Sequence, residues 1–394
     1  MAAKNLIKLD LSNSDTYNQC AMDKVLRSQS IKDAIAGLGW TQKKLAGEIG
    51  VTSQAVTNWL KGTDFPRPDK LLKLATALKL GFDQLVESQE KRPVIAFRKK
   101  AGAKTTEQHL LKAMTMGAML KPLVSYLPAR RTLRTQIPSP SCDYEPLQNA
   151  AALVREKLGI GMQAVLLYEH LLSEFQDNDA VIVPVMWGEK QNHQNALHIL
   201  LPEERVTFIY LNLDTRLEDF KFWMAHELAH VYTPDLAGTE FGEDFADALA
   251  GALLFPKELA SIAYAEAANA RTQPAEMEIL RKHAKAHKIS LFSVFCEARN
   301  YAKASGLPQL RVSDKDIHMV RNSSRGSLVS ESLFKPLPPE PSAYVAASNK
   351  TFRSAFFHAL QLMLHDRGTG ASYVQQVLDI SLRDATALHG ELMH

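Results

Sequence analysis

Cysteine is scarce in this sequence. Three residues, Cys20, Cys142 and Cys296, are scattered over 394 positions with no CxxC spacing. That excludes a disulfide framework and a cysteine-built zinc site, and points to a reducing compartment. Long apolar runs are missing as well. No stretch reaches the roughly 18 apolar residues a membrane helix needs, so no membrane partner is expected. The opening "MAAKNLIKLDLSNSD" turns polar and acidic too early for a signal peptide, and a cytoplasmic location follows. Internal repeats are also absent. What remains is an ordinary globular balance, 46% hydrophobic and 23% charged, on a chain long enough for two or three domains.

The net charge of +3 hides an asymmetry. Residues 1–135 hold 23 basic against 11 acidic residues, +12; the remainder holds 23 against 32, −9. A basic front and an acidic back suggest a polyanion partner at the front. Most of that charge lies in a connector, residues 91–134, with 11 basic residues and 1 acidic. There Arg98, Lys99, Lys100 and Lys104 are candidates for sequence-independent phosphate contacts, or simply a solvated basic linker.

Five segments are expected. Residues 1–20 are polar, and 21–90 are short helices with tight turns. Residues 91–144 form the basic connector with one helix near 105–126. Residues 145–322 mix helices with the short strands "AVIVPVMW", "ALHILL" and "VTFIYLNL". Residues 323–394 are a linker and a helical tail.

Residues 40–80 carry a helix–turn–helix pattern, "WTQKKLAGEIGVTSQAVTNWLKGTDFPRPDKLLKLATALKL". Leu45, Ala46 and Ile49 share one helical face, and Gly50 ends that helix. Ser53 is the expected cap of the next helix, which buries Val56, Trp59 and Leu60. Asp69 is the expected cap of a third, with Leu71, Leu72, Leu74, Ala75 and Leu78 as core. Outward from the second helix stand Ser53, Gln54, Thr57, Asn58 and Lys61, short polar groups for base edges and a lysine for phosphate. The stretch resembles the XRE family of phage-repressor-like domains over residues 28–88, with Gln42 and Gln54 opening the two motif helices. That resemblance implies double-stranded DNA as partner, bound by a homodimer. A helical bundle for dimerisation or protein docking is the alternative.

The second motif is "KFWMAHELAHVYT", residues 221–233. His226 and His230, four apart, leave one face of a helix and can share one tetrahedral ion. Glu227, about 100° round, can act as general base on the attacking water. Phe222, Ala225, Ala229 and Tyr232 supply an apolar stripe. "VTFIYLNL" is the candidate edge strand for a peptide substrate. The next helical run, "GEDFADALAGALLFP", offers Glu243 as third ligand and Asp247 as acceptor for a ligand histidine's other N–H. Glu240 and Asp244 compete for the ligand role with worse facing. Tyr232 or Tyr210 could serve as oxyanion donor. His193, His198, His283 and His287 read as surface or packing residues, the last two on a charged, solvated face with no acidic partner.

"FWMAHELAH" followed by "EDFADALAGALLFP" resembles the ImmA/IrrE metallopeptidases, whose pattern continues E-x-x-A-(N/D)-x-F-A-A-x-L-L-x-P after HExxH. Glu243, Ala246, Asp247, Ala250, Leu253, Leu254 and Pro256 match; Leu249 stands for the usual phenylalanine and Gly251 for an alanine. The resemblance runs from about 146 to about 304. It implies a zincin-like α+β domain, Zn2+ or another divalent ion such as Mn2+, and cleavage of an XRE-type repressor. The expected protein is therefore a DNA-binding regulator with a metal-dependent endopeptidase domain acting on a partner regulator. Two alternatives stay open: a non-catalytic DNA- and metal-binding regulator, as in a toxin–antitoxin or phage-related module, and a peptidase whose helix-turn-helix only docks its substrate.

Overall fold

Two threonines set the N-terminal helices. Thr41 Oγ1 accepts the Lys44 amide and opens α2 (Gln42–Ile49); Thr52 Oγ1 accepts the Ala55 amide and opens α3 (Ser53–Lys61). Thr52, and not Ser53, is thus the cap, because the hydroxyl one residue earlier has the extended backbone a cap needs. Gly50, at φ +68°, closes α2 in the left-handed conformation. Before them lie β1 (Lys24–Leu26) and α1 (Ser28–Gly37), and after them α4 (Pro68–Leu78), α5 (Phe82–Leu85) and β2 (Val86–Ser88). Pro68 starts α4 with no side-chain cap; Asp69 sits in its first turn and complements the helix dipole. β1 and β2 pair antiparallel and tie the ends of the motif together. Ile31, Leu45, Ile49, Val56, Trp59, Leu74 and Leu78 make a separate core. Leu72, expected inside, is 56% exposed.

The computed structural model describes residues 24–88, 93–96, 107–129, 134–188, 196–323 and 326–394. Residues 1–20, the phosphate-contact candidates Arg98, Lys99, Lys100 and Lys104, and His193 lie outside the described residues. The chain divides into two compact units, 1–91 and 92–394.

The second unit opens with β3 (Val94–Ala96) and α6 (Glu107–Leu120), continued by a 3-10 turn to Tyr126. α7 (Tyr144–Lys157) and α8 (Tyr168–Asp177) follow. The stretch before α8, residues 158–167, is not helical. The buried Arg155 guanidinium binds the Gly161 and Ala164 carbonyls and holds that stretch as a loop. Then come β4 (Ala180–Val185), β5 (Ala196–Leu201) and β6 (Val206–Asn212). The four-stranded sheet runs β3–β5–β6–β4, parallel only between β4 and β6. β6 is thus an interior strand with every residue buried, not the edge its sequence suggested.

Helices complete the unit: α9 (Leu217–Tyr232), α10 (Glu240–Leu254), α11 (Lys257–Ala268), α12 (Gln273–His287), α13 (Leu291–Ala304), α14 (Asp314–Ser323) and α15 (Val329–Leu333). The tail forms α16 (Pro341–Lys350), α17 (Phe356–Arg367), α18 (Ala371–Leu378) and α19 (Leu382–Met393). It is packed into the same core as the sheet. Phe356, Phe357, Leu360 and Met363 are fully buried, and the Tyr344 and Ser354 hydroxyls donate to the β4 carbonyls of Pro184 and Ile182. β3 and α6, read as connector, join that core too. Among the described residues, no single helix is long and apolar enough to cross a membrane.

One buried charge bears on stability. Glu297 on α13 reaches α10 opposite Gly251, where an added Cβ would sit 2.4 Å from its Oε1. A side chain at Gly251 would therefore make the Glu297 carboxylate shift. Burial pushes the Glu297 carboxyl up to about 8. The folded chain holds a proton there that the unfolded chain releases above its ordinary value of 4.5. Stability from this group is thus intact below that value and falls as pH rises toward about 8, by a few kcal/mol at most. Glu297→Gln is expected to flatten that fall, measured as the denaturant midpoint at pH 5 and pH 9.

Candidate functional site

The second half of α9 is enclosed on all sides. Met224 through Tyr232 are all buried, including His226, Glu227 and His230. α10 packs beside it, with the small residues Ala246 and Ala250 fully buried on the same helix. That packing brings Glu243, on the first turn of α10, onto the histidine pair.

The three candidate ligands converge. His226 Nε2 and His230 Nε2 lie 3.2 Å apart. Glu243 Oε2 is 3.5 Å from the first and Oε1 is 3.4 Å from the second. Tetrahedral zinc with bonds near 2.1 Å separates its ligands by roughly 3.4 Å, so the spacing suits such an ion. Among the described residues, this trio is the one buried group able to hold a metal. Glu240 and Asp244 are exposed outside it. His226 Nδ1 donates to Asp247 Oδ1 at 2.9 Å, which turns Nε2 toward the site.

The polar atoms here are otherwise orphaned. Both Glu243 oxygens, Glu227 Oε2 and His230 Nδ1 are buried without a hydrogen-bond partner. Each such group costs about 1–3 kcal/mol if nothing binds it. A cation among them would remove part of that cost, so the donor set fits a divalent ion. Without one, electrostatics split the histidines. Burial works against a charge on His226, but the Asp247 and Glu243 carboxylates and Glu227 outweigh it and raise it to about 9. Burial and the neighbouring His226 drive His230 down to about 3. Burial raises Glu227 as well.

A fourth imidazole stands at this site that sequence reasoning passed over. His198 on β5 is 1% exposed, its Nδ1 is 3.4 Å from Glu227 Oε2, and its ring is 5.4 Å from that of His230. The pattern "ALHILL" signals a buried strand, and a histidine in such a strand was the available clue. The proposed oxyanion donors are committed elsewhere. Tyr232 Oη donates to Glu174 at 2.6 Å and Tyr210 Oη to the Val377 carbonyl at 2.8 Å. His283, read without an acidic partner, lies 3.0 Å from Glu266, and His287 is buried against Phe255.

In the N-terminal unit, Ser53, Gln54 and Lys61 are exposed on α3, with Thr57 and Asn58 half-buried. Gln54 Nε2 donates to Asn58 Oδ1 at 2.9 Å, and Thr57 Oγ1 to Gln42 Oε1 at 3.3 Å. These bonds fix the amides on one face before any ligand arrives.

Residues 31–85 match the helix-turn-helix family model, of the XRE type. The match supports a DNA-binding regulator and covers the N-terminal unit alone. No curated protein and no solved structure matches the chain. The ImmA/IrrE resemblance therefore rests on the residues quoted above.

Metal binding is expected to track these contacts. Zn2+ titrations should show affinity for Asp247→Asn lowered about 10–100-fold. Binding must also displace the His226 proton, so wild-type affinity should be weaker at pH 6 than at pH 8.

Proposed function

We propose that this DNA-binding regulator carries a metal-dependent endopeptidase in residues 92–394 and acts by cutting a partner regulator. The carrying observation is the buried trio His226, His230 and Glu243 with the Glu227 carboxylate at its side. In this reading the three hold a zinc-type ion, which would polarise the scissile carbonyl and acidify the attacking water. Glu227 takes the proton from that water and later delivers it to the leaving amine. Asp247 keeps His226 in the tautomer that presents Nε2. The helix-turn-helix places the chain on DNA through Gln42, Ser53, Gln54, Thr57, Asn58 and Lys61, as a homodimer on paired half-sites.

One observation favours a second reading, the non-catalytic regulator. The side chains of His198, His226, Glu227 and His230 are at most 5% exposed, deep for a site that must admit a peptide. Glu227→Gln separates the two readings. It should keep one ion per chain and abolish new protein N-termini, compared with wild type by mass spectrometry in expressing cells. Equal termini in both strains would sink the peptidase reading, and no termini in either would favour the regulator that binds metal without turnover.

The DNA face has its own test. Asn58→Ala is expected to weaken specific operator binding by about 1–3 kcal/mol while leaving the salt slope unchanged. Operator selection by genomic pull-down followed by titration at two salt concentrations measures both.

A further inference from the structure

His198 has no ordinary reason to be where it is. It lies on β5, flanked across the sheet by Ala96 on β3 and Ile209 on β6. Neither neighbour offers its side chain a polar partner. Both ring nitrogens are buried and unbonded among the described residues. A buried imidazole left so destabilises the fold. The polar atom facing the ring is Glu227 Oε2, at 3.4 Å, itself unbonded and buried. Contacts of this kind are often long until the reacting complex forms.

We propose that His198 positions Glu227, donating one ring N–H to its carboxylate and so turning the other oxygen toward the trio His226, His230 and Glu243. The proposal rests on the peptidase reading for its purpose, though not for its geometry. His198 is not a member of the ligand trio, whose donor atoms close on one another without it. A neutral imidazole has one N–H to give and carries no charge to repel a cation. Glu227 is tied to α9 by a flexible side chain of its own. An imidazole fixed on an interior strand of the sheet supplies the second point that defines its orientation.

Two measurements on the full chain test this. The first reads the ring itself. Side-chain 15N spectra of the zinc-loaded protein should show the His198 N–H resonance moving when Glu227→Gln replaces the acceptor, with the His226 and His230 signals in place. No movement would overturn the proposal. The second reads turnover of dye-labelled casein. His198→Phe should retain one zinc per chain, lower kcat about 10–100-fold and leave KM within about twofold. His198→Gln, which keeps an N–H donor, should recover part of that loss. Loss of zinc in His198→Phe would make His198 a ligand and overturn the proposal, as would unchanged kcat. Should His198→Phe not fold, the resonance of the unaltered histidine still decides. If the wild type cuts nothing while the resonance moves, the peptidase reading fails and the positioning stands.

Discussion

The centre of the second unit depends on how closely α10 approaches α9. Glu243 meets both histidines from the first turn of α10, a helix whose Ala246 and Ala250 are small and fully buried. The same approach places Asp247 one turn along, within hydrogen-bond distance of His226. Close packing and polar convergence are here the same feature. Its consequence is a set of buried donors that the protein alone does not satisfy. In such a centre, ion binding and folding are coupled, because the bonds an ion forms offset desolvation the fold has already incurred.

The N-terminal unit is built on a different balance. Its core is small, and much of its order comes from local devices: two threonine caps, left-handed closures at Gly50 and Gly62, and a short strand pair joining its ends. These fix the recognition helix without a large buried area. Its own charge is modest, 10 basic against 8 acidic residues over 21–90. In the proposed DNA complex, specificity would therefore rest on Gln54 and Asn58 more than on bulk electrostatics.

Local signals were legible and long-range ones were not. Histidines at i and i+4 define a shared helical face whatever surrounds them, so the pair at 226 and 230 could be read directly. The strand segments at 180, 196 and 206 announced themselves by branched, apolar composition. His198 was invisible as a site residue because its partner, Glu227, lies on another element. That Gly251 faces the Glu297 carboxylate, on a helix further along the chain, was likewise beyond local reading. The cap at Thr52 was missed by one position because two hydroxyl residues stand side by side and only the backbone distinguishes them. The tail carries no motif at all, yet it fills part of the core.

That tail also bonds one edge of the sheet. A four-stranded sheet has two edges, and a backbone group on either needs a partner or water. At β4 the tail supplies partners, since the hydroxyls of Tyr344 and Ser354 close the carbonyls of Pro184 and Ile182. β6 is paired on both sides. On the other edge β3 pairs with His198 through Leu200 of β5. That side is also where His198 leads to Glu227. The sheet and the buried centre are consequently parts of one arrangement, in which the strand carrying His198 links an edge of the sheet to the carboxylate beside the histidine pair.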